Sequence, residues 1–453
     1  MLKDFENYFE NTVNLLNEFQ WLFKYPVTKI LVENFLNKFP DDWLQVLRQL
    51  TTEELNDLVN GKFVNGNWPP TLVSFVNKCN IFNKLPHPPT LPPTSAKLSE
   101  QLPHAFKIGL SQKKQYEILN LAKLVNDKCL EYNIRTIVDF GAGLGYIGQL
   151  LNYLYDYKVI GLESNLNNVK IAEKRQHSLY PESIEKVKFV NIKITTNDSD
   201  EEIKNKIKLL TNDEEFCLIG LHACADLSVN ACKLFSKIET AKLLIIVSCC
   251  YHKLEVDDDN NFINFPVSQT LKNVINNSNN NCRYEEILHR PFLRLACQEP
   301  ASRWDKMSKD LHDKHAFYVL SRAVIELFTY ENNITLTKCV RKATRKSQCK
   351  NFETYLQDTI ERYYFNGNSI SNEGDDNKEF VETIMKLWEL HEEKMNDVEI
   401  YTGLQLLLQA PAESLVLYDR YCWLIENNYL SEIVAVLSNV ISPRCYATIG
   451  IKK

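Results

Sequence analysis

Five short runs of aliphatic residues, separated by stretches with helical periodicity, constrain the fold of this chain more than any other feature. They are "TIVDF" (136–140), "KVIGLE" (158–163), "VKFVNI" (187–192), "FCLIGL" (216–221) and "KLLIIVS" (242–248). Apolar runs without polar alternation mark strands buried on both faces, as in a parallel sheet covered by helices. Their spacing of roughly 22–30 residues suits right-handed βαβ units. We therefore predict an α/β fold with a mostly parallel sheet.

The segments around these runs divide the chain further. Residues 1–85 carry apolar residues at three-to-four spacing and are predicted to form an N-terminal helical domain. Residues 86–103 contain six prolines, which favours a linker. The sheet core is predicted over 104–282, a mainly helical insertion over 283–430, and a closing β-hairpin of the core sheet over 431–453.

Composition limits the classes of function. The 453 residues are 44% hydrophobic and 24% charged, which is typical of a globular protein. The net charge of −6 provides no general attraction to nucleic acid, so an RNA contact would need a local basic patch such as 337–350. The absence of interleaved aromatic residues in that run and the acidic chain favour a solvated loop over a nucleic-acid contact. The chain shows no signal peptide and no apolar run of the ~20 residues that span a bilayer, and its 13 scattered cysteines suggest reduced thiols, so we expect a cytoplasmic or nuclear protein that does not bind membranes.

A glycine-rich loop follows the first predicted strand, in "IRTIVDFGAGLGYIGQLL" (134–151). Glycines permit positive φ and let a ligand approach the bare backbone, and the amides of the following helix then face that ligand. At the end of the next strand, Glu163 can accept hydrogen bonds from both hydroxyls of a ribose. The predicted cofactor-binding residues are Asp139, Gly141, Ala142, Gly143, Gly145, Glu163, Ser164, Lys113 and His222.

Two cofactors compete for this loop. Gly143, Gly145 and Gly148 fit the G-x-G-x-x-G pattern of an NAD-dependent oxidoreductase, with Glu163 at the expected distance. The D-x-G-x-G-x-G pattern of S-adenosylmethionine sites also accounts for Asp139. A carboxylate at this position would be repelled by the anionic pyrophosphate of a dinucleotide, whereas it would be attracted to the ammonium group of a methionine. We predict S-adenosylmethionine as the cofactor and a methyltransferase as the enzyme.

Several motifs in order resemble the methyltransferase-like protein 25 family. They are "GLSQKKQYEI", "VDFGAGLGYIG", "GLHACADLS", "SCCYHKL", "FPVS" and "SPRCYATIGI", and the resemblance runs from about residue 105 onward. It implies a class I, S-adenosylmethionine-type Rossmann-like fold whose last strand is antiparallel. It implies no particular substrate, although some relatives are named for a ribosomal RNA adenine dimethylase-like domain. The sequence departs from the family pattern at Ala225, where glycine is expected, and at Cys445, where asparagine is expected.

Histidines and cysteines follow the fourth and fifth predicted strands, in "HACAD" (222–226) and "CCYH" (249–252). Ligands of open α/β sheets bind at the carboxyl ends of strands, so both segments are expected to face the methyl donor. This H-x-C and C-C-x-H arrangement is also similar to that of tRNA 2′-O-methyltransferases, which points to RNA. The predicted catalytic residues are His222, Asp226, Cys250, Tyr251 and His252.

Four interpretations of these segments stay open. His222 or His252 could accept a proton from the acceptor during in-line transfer. The cysteines could be buried structural residues, ligands of a metal ion, or covalent nucleophiles. We predict no metal site, and strand alternation leads us to expect one of Cys249 and Cys250 in the core and the other at the pocket.

Lys113 and Lys114 begin the helix before the first strand and could meet an anionic substrate or the carboxylate of the cofactor. The predicted function is direct methyl transfer to RNA, with protein as the second substrate class. A non-catalytic binding or scaffold protein that keeps the cofactor fold is the alternative.

Overall fold

The structure, a computed structural model, describes residues 2–89, 102–194, 200–277, 284–340, 344, 349–367 and 375–452. Its helices are α1 (Leu2–Glu18), α2 (Asp41–Leu47), α3 (Thr52–Val59), α4 (Pro70–Phe82), α5 (Gln112–Glu131), α6 (Tyr146–Tyr155), α7 (Leu166–Leu179), α8 (Asp200–Thr211), α9 (Leu227–Lys237), α10 (Gln269–Asn276), α11 (Tyr284–Ile287), α12 (Arg290–Ala296), α13 (Lys309–Glu331), α14 (Phe352–Ile360), α15 (Asp375–His391) and α16 (Met395–Glu426). Its strands are β1 (Thr136–Phe140), β2 (Lys158–Glu163), β3 (Val187–Asn191), β4 (Phe216–Ala223), β5 (Ala241–Ser248), β6 (Leu336–Lys338), β7 (Tyr363–Phe365), β8 (Leu430–Ala435) and β9 (Tyr446–Ile451). Within the described ranges, no helix combines the length and apolar character needed to cross a bilayer.

The main sheet has the strand order β3-β2-β1-β4-β5-β9-β8. The pairs from β3 to β5 are all parallel, whereas β9 runs antiparallel to both β5 and β8. Strand order reverses between β1 and β4, which is where ligands bind in open α/β sheets. The predicted class I methyltransferase sheet is confirmed, including its antiparallel last strand.

Helices cover both faces of this sheet, which explains the unbroken apolar runs. On one face Ile137 and Ile245 pack with residues of α5 and α6 such as Leu121 and Leu150. On the other face Leu218 and residues of α8 and α9 form a second cluster. A fully buried leucine or isoleucine stabilises the fold by about 1.5–3 kcal/mol, so alternation with polar residues would be costly on either face.

The chain divides into two compact units. One comprises Met1–Asn14, Phe82–Pro300 and Gln409–Lys453 and contains the main sheet; the other comprises Leu15–Ile81 and Ala301–Leu408. The second unit is mostly helical, as the sequence suggested, but also pairs β6 with β7 in a small antiparallel sheet that the sequence analysis did not predict. The predicted segment boundaries stay predictions, and residues 90–101 of the predicted linker lie outside the described residues.

A buried ion pair anchors the "SPR" turn that leads into β9. Arg444 lies 2.6 Å from Glu413 of α16 and donates to the carbonyl oxygens of Ala296 and Gln298 after α12. Burial raises the pKa of Glu413, while the charge of Arg444 opposes that shift. The guanidinium thus holds together three segments that are far apart in sequence.

Arg444→Met should lower the free energy of unfolding by about 3 kcal/mol or more, because it leaves the Glu413 carboxylate buried without its cation. Urea denaturation checks this value. The double variant Arg444→Met/Glu413→Gln should recover part of the loss, and Arg48→Met, which breaks an ion pair whose arginine is 53% exposed, should cost less than about 1 kcal/mol. An Arg444→Met protein as stable as wild type would show that the pair does not stabilise the fold.

Candidate functional site

The carboxyl ends of β1, β2, β4 and β5 lie side by side in the sheet and bring the predicted site segments to one edge. In the strand register Asp139 pairs with Gly161 of β2 and with Ile219 of β4, and Ala223 pairs with Ser248. The glycine loop follows β1, and Glu163 ends β2. His222 lies within the last two residues of β4, which is longer than predicted, while Cys224 follows β4 and the "CCYH" segment follows β5. The sheet therefore gathers the predicted residues from about 115 positions of sequence at one edge.

The glycine loop has the conformation that its sequence predicts. Gly141, Gly143 and Gly145 all have positive φ, of 73°, 59° and 75°. A Cβ atom on Gly145 would collide with the ring of Phe189, whereas one on Gly143 would meet nothing nearer than the Gly141 carbonyl oxygen, 4.0 Å away. Gly145 is thus required by packing, and Gly143 borders open space that a ligand can enter. The amide of Ala142 donates to the Leu162 carbonyl oxygen and so ties the loop to β2.

Asp139 is a buried carboxyl group with unused hydrogen-bonding capacity. Its side chain is 2% exposed, and its Oδ2 atom has no hydrogen-bond partner among the described residues. The pKa of Asp139 is raised to about 7, mainly by burial; the positive charge of Lys114 opposes this shift and the negative charge of Glu163 adds to it. A buried carboxyl oxygen without a donor is costly, so this position is suited to a ligand that brings a donor.

Glu163 supports the glycine loop and keeps further acceptor capacity. Its Oε2 accepts from the Gly143 amide at 2.9 Å and its Oε1 from the Asn165 amide at 2.8 Å. A carboxylate has about four acceptor positions, so about two remain for ribose hydroxyls. Ser164 is exposed, and its carbonyl oxygen accepts from Asn191.

Glu117 of α5, which the sequence analysis did not select, connects His222 to the turn before β9. It is 1% exposed; its Oε2 lies 3.0 Å from Nε2 of His222, and its Oε1 accepts from the Ser442 hydroxyl at 2.9 Å. Burial acts to raise the pKa of Glu117, but the hydrogen bond and charge of His222, with Ser442 and Lys114, lower it overall. The carboxylate therefore orients the His222 ring through its Nε2 atom.

The two lysines of α5 differ in their surroundings. Lys113 is half-exposed and lies 3.8 Å from Glu117, and Lys114 lies 3.9 Å from it. Burial lowers the pKa of Lys114, whereas Glu117 and Asp139 act to raise it. Lys114 is thus the cation that couples the glycine loop to the Glu117–His222 pair, and Lys113 remains a candidate for contact with a ligand carboxylate.

His222, at the register shift near the end of β4, and Ala225, in the turn after that strand, both have a left-handed backbone conformation. Their φ angles are 60° and 51°. Residues with a Cβ adopt this region at a cost, and such strain is often found where a side chain is presented to a ligand. The glycine that the family pattern has in place of Ala225 is explained by this backbone requirement.

Three cysteine thiols meet beside this turn. The Sγ atoms of Cys224 and Cys249 are 2.8 Å apart, and that of Cys250 lies 3.7 Å from the first and 3.5 Å from the second. The hydrogen bond with Cys249 lowers the pKa of Cys224 to about 6, and the same contact raises the pKa of Cys249. Cys224 is exposed, Cys250 is half-buried and Cys249 is buried.

The expectation that Cys249 and Cys250 point to opposite sides is wrong. β5 ends at Ser248, so strand alternation no longer applies. Cys250 has φ −77° and ψ 67°, and the Tyr251 amide donates to the Cys249 carbonyl oxygen at 2.8 Å. These values define an inverse γ-turn, which folds both thiols to the same side.

The remaining predicted catalytic residues have partners within the surrounding loops. Asp226 accepts from the Glu255 amide and from the Asn264 side chain, at 2.9 and 2.7 Å. Tyr251 is buried and donates to Glu413 at 3.2 Å. Nδ1 of His252 lies 2.9 Å from the Cys297 sulfur, and burial lowers the pKa of His252. These contacts support the loop after β5, and the catalytic roles of the three residues stay predictions.

Comparison with known proteins agrees with this geometry. A family model described as a methyltransferase domain matches residues 113–257, which contain the glycine loop, Glu117, His222 and all three clustered cysteines. Proteins named "Probable methyltransferase-like protein 25" from Homo sapiens and Mus musculus are both 28% identical, over 56% and 54% of this chain. These matches confirm the predicted resemblance to methyltransferase-like protein 25 as a sequence similarity.

The matched region spans about 39% of the length of these methyltransferase-like protein 25 relatives. Among solved structures, coclaurine N-methyltransferase bound to N-methylheliamine and SAH aligns over 92% of this chain and 96% of its own, at 10% identity and a TM-score of 0.25. The plantazolicin methyltransferase BamL aligns over 76% of this chain and 91% of its own, at 8% identity and a TM-score of 0.22. The fold assignment rests on the strand order and register described above.

Ala225→Gly should stabilise the protein by about 0.5–1 kcal/mol, because relief of left-handed strain at this position exceeds the added chain entropy of glycine. A rise in melting temperature checks this. Ala231→Gly, in α9, should lower the melting temperature because glycine weakens a helix interior. A fall for both variants would mean that the φ of Ala225 carries no strain.

Proposed function

We propose that this chain binds S-adenosylmethionine and transfers its methyl group to an acceptor held at the ends of β4 and β5. The observation that carries the proposal is the buried, unbonded Oδ2 of Asp139 on the strand that leads into the open cradle at Gly143. A dinucleotide would bring anionic phosphate toward this carboxyl group, whereas a methionine brings an ammonium donor. The methyltransferase-domain match over the same residues supports the same choice.

The residues of the glycine loop fit this cofactor. Gly141, Ala142 and Gly143 would line its methionine and ribose, with Asp139 toward the ammonium group and the free acceptor positions of Glu163 toward the ribose hydroxyls. Ser164, at the same edge, would border the nucleoside. Once bound, S-adenosylmethionine supplies an electrophilic methyl group on a sulfonium.

His222 is the group of this chain best placed to remove a proton from the acceptor. Its ring is oriented by a buried carboxylate, the arrangement by which an acid residue fixes the tautomer of a histidine base. A base of this kind matters most for an acceptor that must lose a proton as it attacks, such as a hydroxyl group. We therefore propose a ribose hydroxyl of RNA as the acceptor, and a protein side chain as the second class.

The route by which RNA would be bound is part of the proposal. Half of the predicted basic patch at 337–350 falls outside the described residues, since 341–343 and 345–348 are not among them. Lys114 and Lys253 provide positive charge near the strand ends of the described site. Phosphate contacts from such residues position an RNA without reading its sequence.

Calorimetry with S-adenosylmethionine, S-adenosylhomocysteine and NAD separates the competing functions. We expect binding of both sulfur ligands and none of NAD. Binding of NAD alone would overturn the proposal in favour of an oxidoreductase. Tight binding of the sulfur ligands without transfer to any acceptor fraction would leave the scaffold function.

Asp139→Asn should be more stable than wild type at pH 8 and yet bind S-adenosylmethionine more weakly. The raised pKa means that the folded state holds a proton that the unfolded state releases between pH 4 and 7, so wild type loses stability as pH rises through that window. The variant lacks this loss, a gain on the order of 2 kcal/mol at pH 8 since part of the burial cost remains with the amide. Denaturation at pH 5 and 8, with calorimetry at pH 8, checks both parts.

A variant that loses stability at pH 8 would show that Asp139 is held as an ion by the protein itself. Unchanged cofactor affinity would show that its carboxylate does not meet the ligand. Asp127→Asn is a matched control, because Asp127 lies on α5 away from the strand ends, and it should change neither quantity.

Transfer of label from methyl-tritiated S-adenosylmethionine into purified RNA and protein fractions tests the acceptor. His222→Ala should reduce incorporation by about 100-fold or more through loss of the base. Glu117→Gln should reduce it by about 10- to 100-fold through misorientation of that base, with unchanged cofactor affinity. Glu432→Gln, which removes an exposed carboxylate paired with Lys128, is the control and should have full activity.

Label in RNA that persists in both variants would contradict the role of the Glu117–His222 pair. Label only in protein would replace RNA by the second substrate class.

A further inference from the structure

The three-thiol cluster is not used by the proposed methyl transfer, and its geometry is that of a ligand set. The Sγ atoms of Cys224, Cys249 and Cys250 all lie within 4.8 Å of one another. Among the described residues, these three form a cluster of potential ligands that is compact enough to hold one metal ion. A zinc ion with Zn–S bonds of about 2.3 Å needs tetrahedral S···S separations of about 3.8 Å. Two of the observed separations, 3.7 and 3.5 Å, are close to that value.

The third separation, 2.8 Å between Cys224 and Cys249, must widen by about 1 Å to hold the ion. The local structure allows this because Cys224 is exposed and lies in the turn after β4 rather than in the strand. Either thiol can donate in the Cys224–Cys249 contact, and a cation placed between the two sulfur atoms would replace the donated proton. A metal ion deprotonates the thiols that coordinate it.

The backbone converges on this arrangement from two directions. The last residues of the neighbouring parallel strands β4 and β5, Ala223 and Ser248, are paired in the sheet. Cys224 and Cys249 directly follow them and therefore begin side by side. The inverse γ-turn at Cys250 then returns the third thiol to the same side. Three ligands from two segments fixed by a sheet are the preorganisation that metal sites require.

We propose that Cys224, Cys249 and Cys250 bind one Zn²⁺ ion through three thiolates, with a fourth position open to water or to an acceptor atom. Three protein ligands and one open position are typical of catalytic zinc, whereas structural zinc has four protein ligands. Soft thiolates select Zn²⁺ over Mg²⁺ or Ca²⁺. Lys114, which interacts with Cys249, and Lys253, which interacts with Cys250, offset the negative charge of the complex.

This proposal is independent of methyl transfer, and metal content tests it without S-adenosylmethionine. The full chain, stripped with a chelator and reloaded with Zn²⁺ under reducing conditions, should retain about one ion per chain by mass spectrometry. Loading with Co²⁺ should give the sulfur-to-cobalt charge-transfer absorption of a tetrahedral thiolate site. Zn²⁺ should also raise the melting temperature.

Cys224→Ser, Cys249→Ser and Cys250→Ser should each weaken Zn²⁺ binding by about 100-fold or more and abolish the cobalt absorption. Cys339→Ser is the matched control, because Cys339 is a half-exposed thiol outside the cluster, and it should retain the ion. Intact mass and thiol titration of the same samples report whether Cys224 and Cys249 have formed a disulfide.

Any one of three results would overturn the proposed zinc site. The first is a wild-type chain that retains no Zn²⁺ and gives no cobalt absorption. The others are a Cys224→Ser variant, changed at the exposed cysteine, that binds Zn²⁺ as tightly as wild type, and a Cys224–Cys249 disulfide that persists under the reducing conditions of loading. The cobalt spectrum of the wild-type chain decides the question even if a buried-residue variant fails to fold.

Discussion

The contacts of the buried Glu117 carboxylate hold together the segments that surround His222. Glu117 accepts a hydrogen bond from Ser442, in the turn before β9, and contacts the ring of His222 at the end of β4. Lys114, on the same helix, offsets its negative charge. Segments more than 300 residues apart in the sequence thus contact the same carboxylate group. A buried charge is tolerated only when such partners are all in place, so the helix, the β4 turn and the last strand must be correctly positioned together.

The same edge of the sheet supports two kinds of chemistry within a few residues. The glycine loop offers a backbone cradle and two acidic side chains, which suit a cationic, hydroxyl-rich cofactor. The end of β4 offers an imidazole and the turns after β4 and β5 offer three thiols, which suit proton transfer and a soft metal ion. A zinc ion at the thiols would place a Lewis acid near the position proposed for the methyl acceptor, where it could assist loss of the acceptor proton.

Features encoded by local sequence were predictable, and those that depend on distant partners were not. The five aliphatic runs correspond to β1–β5 because burial on both faces leaves a continuous apolar signal. The role of Glu117 could not be predicted from local sequence because its partners His222 and Ser442 lie 105 and 325 residues away. The one local indication is a charged residue beside Ile118 on the buried face of an amphipathic helix. The thiol cluster depended on a single γ-turn at Cys250, and β6 and β7 are only three residues each, too short for a reliable pattern.

The position of β9 between β5 and β8 has a consequence for synthesis of the chain. β5 emerges from the ribosome about 200 residues before its partner, which corresponds to roughly 10–40 s of translation. Throughout that interval the apolar edge of β5 presents unpaired backbone groups, the kind of edge that recruits other strands. Correct assembly in a cell therefore depends on keeping a nascent, half-built sheet apart from its neighbours until Tyr446–Ile451 arrive to close it.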